Sequence, residues 1–132
     1  MDSLRKLTGK STVPPEVFVS ALVAAGGGLL FVIMGLVRWQ GDGDAGWVKF
    51  PAVVAVLELV IAAGLVVGFR PARVTGIMVF AVFALVHLIV TLNDGPLWIR
   101  IVSGVLSAAH VYGIVLLNTG PAREHLGAGG AR

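Results

Sequence analysis

The chain has no cysteine and little charge: of its 132 residues ten are Lys or Arg, seven are Asp or Glu, and together these make up 13%. The missing thiols exclude disulfide staples, thiolate metal centres, iron–sulfur clusters, c-type haem attachment and Cys-x-x-Cys redox chemistry. The scarcity of charge excludes an ordinary soluble domain, in which about a quarter of residues are charged. There is also no nucleophile–base pair, no metal-ligand spacing and no phosphate loop, so no enzymatic activity, cofactor or metal is expected.

What fills the chain instead is apolar: 57% of residues are hydrophobic and the mean hydropathy is +0.94. A helical crossing of a bilayer takes about 20 residues, so four crossings take roughly 80 positions and leave only short loops and two tails. No soluble catalytic domain fits. The formal charge of +3 and pI near 10.0 do not point to nucleic acid, because the basic residues are spread along the chain and flank apolar runs, where they act as topology signals.

Residues 1–14 form a polar tail with Arg5, Lys6 and Lys10, ended by Pro14-Pro15, and Glu16 favours a helix start behind a proline. The first span is expected from Val17 to Val37, closed by Arg38-Trp39. A cleaved signal peptide is the rival reading, since a basic tail and Ala24-Ala25 resemble a cleavage site. The apolar run continues through Leu29-Leu30-Phe31-Val32-Ile33, which favours a retained span. A polar Gly-rich turn follows over residues 40–46, and Trp47 reopens the membrane as an interfacial anchor. The second span is expected from Val48 to Phe69, with Pro51 in its first turn marking a start rather than a kink.

Arg70-Pro71-Ala72-Arg73 is a tight connection to a third span over residues 72–92, and Asn93-Asp94-Gly95-Pro96 a second tight turn before a fourth over 97–117. Residues 15–118 thus form the transmembrane domain, and a Gly- and Ala-rich tail from residue 119 to 132 is expected to be disordered. His125 falls in that tail and carries no argument. Arg5, Lys6, Lys10, Arg70, Arg73, Arg123 and Arg132 lie on one side, Arg38, Lys49 and Arg100 on the other. This bias predicts a multi-pass protein of the cytoplasmic membrane with both termini cytoplasmic. Trp39, Trp47 and Trp98 fall at the inferred external boundary as interface residues.

Small residues at four-residue spacing, such as Ala24 and Gly28 or Gly64 and Gly68, let membrane helices approach closely and predict a compact four-helix bundle. The expected fold is an all-α integral membrane protein of four transmembrane helices, N-in and C-in. Helical periodicity gives three inward stripes: Pro51, Ala55, Glu58, Ala62 and Leu65; Gly76, Phe80, Phe83, His87, Thr91 and Asp94; Arg100, Ser103, Ser107 and His110. Gly26-Gly27-Gly28 reads either as a point where the first span unwinds around an ion or as a place of close approach by a bulky neighbour such as Phe80 or Phe83. Because no polar residue of that span lies beside them, close approach is the preferred reading.

Glu58 lies about 15 Å deep and is the most informative residue, since a carboxylate at the midplane must be protonated or paired. It is either a proton, cation or substrate site or a hydrogen-bonded residue that fixes bundle register. Ser107 and His110 fall near its depth, whereas Arg100 would have to reach inward. Glu58, Ser107, His110, His87 and Arg100 form the candidate intramembrane polar site. His87 and His110 suggest a bis-histidine haem, but counted from the external ends of their helices they lie about 8 and about 20 Å deep, which argues against one iron between them. Glu58 and His110 alone supply too few ligands for a metal.

The segments Gly46-Trp47-Val48, Gly64-Leu65, Ala72-Arg73-Val74-Thr75-Gly76-Ile77 and Pro96-Leu97-Trp98 together resemble a group of small four-span membrane proteins of actinobacteria whose function is unknown. The resemblance covers Gly46 to Leu117 and rests on anchors and turns, so it implies topology rather than activity. This chain departs from the group in a shorter loop after the first span and in Glu58 and His110. In size and span number it also resembles the DoxX-like proteins and the small multidrug transporters. The latter carry an essential glutamate in the first span, which here holds no acidic residue within it.

The preferred expectation is a non-catalytic accessory or assembly subunit, with the lipid bilayer around it and a membrane-protein partner or a second copy of itself against its faces. The alternative is a small oligomeric transporter or proton-coupled permeation unit using Glu58. A third reading is an enzyme acting on a lipid or quinone through His87 or His110.

Overall fold

The computed structural model describes residues 12–127. Four long helices follow one another: α1 (Pro15–Asp42), α2 (Gly46–Val66), α3 (Arg70–Leu92) and α4 (Leu97–Leu117), and a short α5 (Gly120–His125) closes the chain. The four are long and apolar enough to cross a membrane. They pack as two antiparallel hairpins, α1 with α2 and α3 with α4. The hairpins meet chiefly along α1 and α4, while α2 and α3 touch over a shorter stretch. Four crossings return the chain to the end at which it entered, so Pro14 and α5 share one end of the bundle.

The helix ends follow local chemistry. Pro15 opens α1 with Glu16 in its first turn, and the helix runs past Arg38-Trp39 to Asp42, five residues beyond the expected span. Gly43 stops it at φ 74°, donating its N–H to the Trp39 carbonyl at 2.7 Å, so the expected seven-residue polar turn shrinks to three residues. Asp44 Oδ1 accepts the Gly46 N–H at 2.8 Å and lets α2 begin before Trp47. Pro51 therefore sits more than one turn into α2 rather than at its start. Proline offers no donor to the Trp47 carbonyl, and a Cβ at Gly35 of α1 would collide with that same oxygen. The missing hydrogen bond and the missing side chain occupy one contact between the two helices.

α2 ends at Val66, three residues short of the expected Phe69, because Gly68 adopts φ 77°. Gly68 donates to the Leu65 carbonyl and Phe69 to that of Gly64, at 3.2 and 2.9 Å, the paired bonds of a Schellman stop. α3 then starts at Arg70, two residues before the expected span, with Pro71 in its first turn.

The chain after residue 118 departs from the expected disorder. Thr119 and Pro121 start α5, and Ala122 and Leu126 are buried in the core between α1 and α4. His125 Nε2 approaches the Leu65 and Val66 carbonyls, each at 3.1 Å, donating to the last carbonyls of α2, of which that of Leu65 also accepts from Gly68. Residues 1–11 and 128–132, which include most of the expected tails, lie outside the described residues.

The interior has three layers. Near the termini Val17, Ala21, Ala24, Ile61, Leu65, Phe80 and Leu117 form the larger apolar cluster, and Met34, Ile99 and Leu106 form a smaller one toward the far end. Between them lie the buried polar residues Glu58, His87 and His110. Outward the order reverses that of a soluble protein, with Leu29, Ile33, Val53, Val60, Leu85 and Val105 exposed along the helix faces. Trp39, Trp47 and Trp98 all lie at the end away from the termini, as interface anchors do.

Candidate functional site

The inward stripe of α2 is buried throughout: Pro51, Ala55, Glu58, Ala62 and Leu65 follow one another at helical spacing. Glu58, at its middle, is 1% exposed and His110 of α4 is wholly buried. Glu58 Oε1 and His110 Nε2 stand 2.6 Å apart. The other ring nitrogen fixes the proton arrangement. His110 Nδ1 lies 2.7 Å from the Leu106 carbonyl, which can only accept, so Nδ1 carries a hydrogen. The short contact to Glu58 then holds one more proton, either on Nε2 beside a carboxylate or on the carboxyl beside a neutral ring. Both states are neutral overall, which is the form in which such a pair tolerates a dry interior.

Two phenylalanine rings flank the histidine of the pair. Phe80 and Phe83 meet His110 edge-on at centroid distances of 5.3 and 6.2 Å. Gly27 and Gly28 of α1 form the remaining wall. A Cβ at Gly28 would come 2.9 Å from the Ala55 Cα and 3.0 Å from Glu58 Oε2; one at Gly27 would come 3.1 Å from His110 Cε1. The glycine run does mark close approach, but the neighbours are Ala55, Glu58 and His110 instead of Phe80 or Phe83. The first span supplies room for the polar pair and not a ligand to it.

His87 joins the site. Its ring centroid is 5.5 Å from that of His110, which overturns the inference that the two histidines lie at separate depths. Thr91 Oγ1 donates to the Arg100 carbonyl and Ser107 Oγ to the Ala84 carbonyl, at 3.2 and 2.8 Å, so the backbones of His87 and His110 are about six residues out of level, roughly 9 Å. Side chains lean toward the N-terminus of their own helix. In antiparallel α3 and α4 that lean carries the two rings toward each other. The rings still do not suit a haem iron, because both nitrogens of His110 are committed to Leu106 and Glu58. Among the described residues no three His, Asp or Glu side chains converge as a metal site requires.

His87 Nδ1 is buried without a hydrogen-bond partner, as is Ser103 Oγ. The layer therefore contains a nitrogen with unused capacity beside a pair that already shares a proton. On its far side the His87 ring meets Phe31 edge-on at 5.1 Å.

Ser107 and Arg100 are not brought to Glu58. Ser107 is spent on the Ala84 carbonyl, and Arg100 Nε donates to the Thr91 carbonyl at 2.9 Å, clamping the far end of α3 to α4. Sequence reasoning read Gly27 and Gly28 as points of close approach without placing them against Glu58 and His110, and it missed Phe31 as a site residue and His125 as a cap. For the glycines the signal was present in their run on the face opposite Glu58; for Phe31 and His125 no local pattern distinguishes them from ordinary membrane and tail residues.

Comparisons with family models, curated proteins and solved structures return no match for the chain. Its character rests on its own geometry, that of a small all-α multi-span membrane protein with a buried glutamate and two histidines in contact at mid-bundle.

Proposed function

We propose that the chain is a small proton-coupled carrier of the cytoplasmic membrane, in which Glu58 and His110 bind the coupling proton and His87 is the neighbouring acceptor. The observation that carries this reading is the 2.6 Å contact between two fully buried ionisable side chains on different helices, with a third such ring 5.5 Å away. Ser107 and Arg73 tie α3 to α4 through backbone carbonyls without burying an ionisable group, whereas the contact between α2 and α4 is made by two of them. An ionisable cluster inside a membrane bundle is costly and marks a functional site by default.

The chemistry is proton relocation without covalent change. With one shared proton the pair is neutral; a second proton gives the layer a positive charge and loss of the first leaves a negative one. Either charge in so dry a place favours a rearrangement that admits water or a counter-charge. α2 and α3 touch over the shorter stretch, and opening along this seam is part of the proposal. The termini face the cytoplasm in this reading, following the Lys and Arg bias, and no bond of a substrate is made or broken.

The test is transport in vesicles. Purified protein reconstituted with an internal pH dye should move protons under an imposed gradient, and Glu58→Gln should reduce the rate at least about tenfold while the helical spectrum and elution volume stay those of the wild type. Equal rates for the two proteins would contradict the reading and return Glu58 to a register-fixing role, as expected of an accessory subunit.

A further inference from the structure

At the end of the bundle away from the termini lies a cavity of about 350 Å³ lined by α1, α2, α3 and Ile99 of α4, a volume within the range of small-molecule sites. Met34, Phe50 and Val90 form its walls and Phe31 its floor. Its one charged lining residue is Arg38, seven positions beyond Phe31 on α1 and therefore about 10 Å nearer the bundle end. From these features we infer that the cavity binds a lipophilic monocarboxylate, with its carboxylate on Arg38 and its apolar body reaching Phe31. As cargo of a proton-coupled carrier this ligand rests on the function proposed above; as a bound molecule it stands on the cavity alone.

The rim is built for an acid. The Arg38 guanidinium lies 3.9 Å above the centroid of the Trp47 ring, which holds its plane in place. Its ion pair with Asp42 runs through Nε at 3.6 Å, and both side chains are partly exposed, at 34% and 53%. An exposed pair of that geometry is weak. A guanidinium grips a carboxylate through two parallel N–H donors, and the Asp42 contact, at 3.6 Å through Nε, is longer than a hydrogen bond. A neutral ligand would leave the only charged lining group unused, and a cation would face it directly.

The floor connects the cavity to the polar layer. Phe31 meets Phe50 edge-on at 5.9 Å within the cavity and His87 at 5.1 Å beneath it. One ring thus separates an acidic ligand from the nearest buried proton acceptor. A carboxylate crossing a membrane travels at least cost when a proton accompanies it, so cavity and proton site suit each other chemically.

The probe is 2-bromodecanoate, whose bromine sits beside the carboxylate and quenches a nearby indole. In nanodiscs holding the Trp39→Phe/Trp98→Phe protein, Trp47 should be quenched saturably, with affinity lowered about tenfold or more by Arg38→Gln and raised by Asp42→Asn. Val90→Phe, or Val86→Phe if the first does not fold, should fill the space and remove the saturable component. Quenching that rises linearly with lipid loading, is equal for the methyl ester, or is unchanged by Arg38→Gln would overturn the inference in favour of bilayer lipid in the cavity. Glu58→Gln should bind the probe as the wild type does, so a loss of binding with intact proton movement overturns the cavity assignment alone, and the converse overturns only the proton reading.

Discussion

Gly26, Gly27 and Gly28 are identical in the sequence and opposite in consequence. A methyl at Gly28 meets the Ala55 backbone and Glu58 within 3.0 Å, whereas one at Gly26 meets nothing within 4 Å. Gly28→Ala should therefore destabilise the bundle by about 1–3 kcal/mol, while Gly26→Ala should be neutral or stabilising by up to about 1 kcal/mol. Reversible unfolding in mixed detergent would read both. The same scale decides what the buried pair is worth. Glu58→Leu leaves His110 buried without its partner and should cost about 3–5 kcal/mol, and adding His110→Phe should recover most of it. A double variant no more stable than Glu58→Leu would show that the two residues act independently. Periodicity made Glu58 legible as an inward residue at mid-depth. It hid the meeting of His87 with His110, because depths counted along Cα atoms omit the lean of each side chain toward its own N-terminus, and in an antiparallel pair those leans converge.

The four helices themselves were legible from apolar length, and their ends were less so. Gly43 and Gly68 stop α1 and α2 through left-handed conformations that hydropathy does not register. Pro51 looked like a first-turn proline only while α2 was thought to begin at Val48. α5 was unreadable in a different way: six residues of mixed polarity form a helix because Ala122 and Leu126 find a core contributed by distant helices. Two polar side chains hold this end together. Arg73 Nε donates to the Leu117 carbonyl and its Nη2 to Asn118 Oδ1, each at 2.9 Å, and His125 caps α2. Arg73→Ala should cost about 1.5–3 kcal/mol and His125→Ala about 1 kcal/mol, as expected for charged and neutral bonds to backbone. Proteolysis near residue 119 should become faster in both variants, and unchanged rates would mean that α5 is held by Ala122 and Leu126 alone.

For the whole molecule, the layered interior separates two tasks. The apolar cluster near the termini holds the helices, while the polar layer and the cavity beyond it face the end that carries all three tryptophans. The absence of cysteine makes the proposed orientation simple to test, since any introduced thiol is the only one. A membrane-impermeant maleimide should label Asp44→Cys on intact cells and Glu124→Cys only after permeabilisation; the reverse pattern would invert the topology and put the cavity on the cytoplasmic side. A proton-coupled carrier requires that the Glu58–His110 pair exchange its proton with water in the course of function. Infrared difference spectroscopy on transfer of the reconstituted protein from H₂O to D₂O tests it most directly, using the bands that Glu58→Gln removes. Those bands should shift within seconds to minutes of the transfer, as conformational opening admits water. Bands that stay protonated for days while the amides of the connecting turns exchange fully would mean that the pair is a sealed packing contact and that the chain is not a proton-coupled carrier.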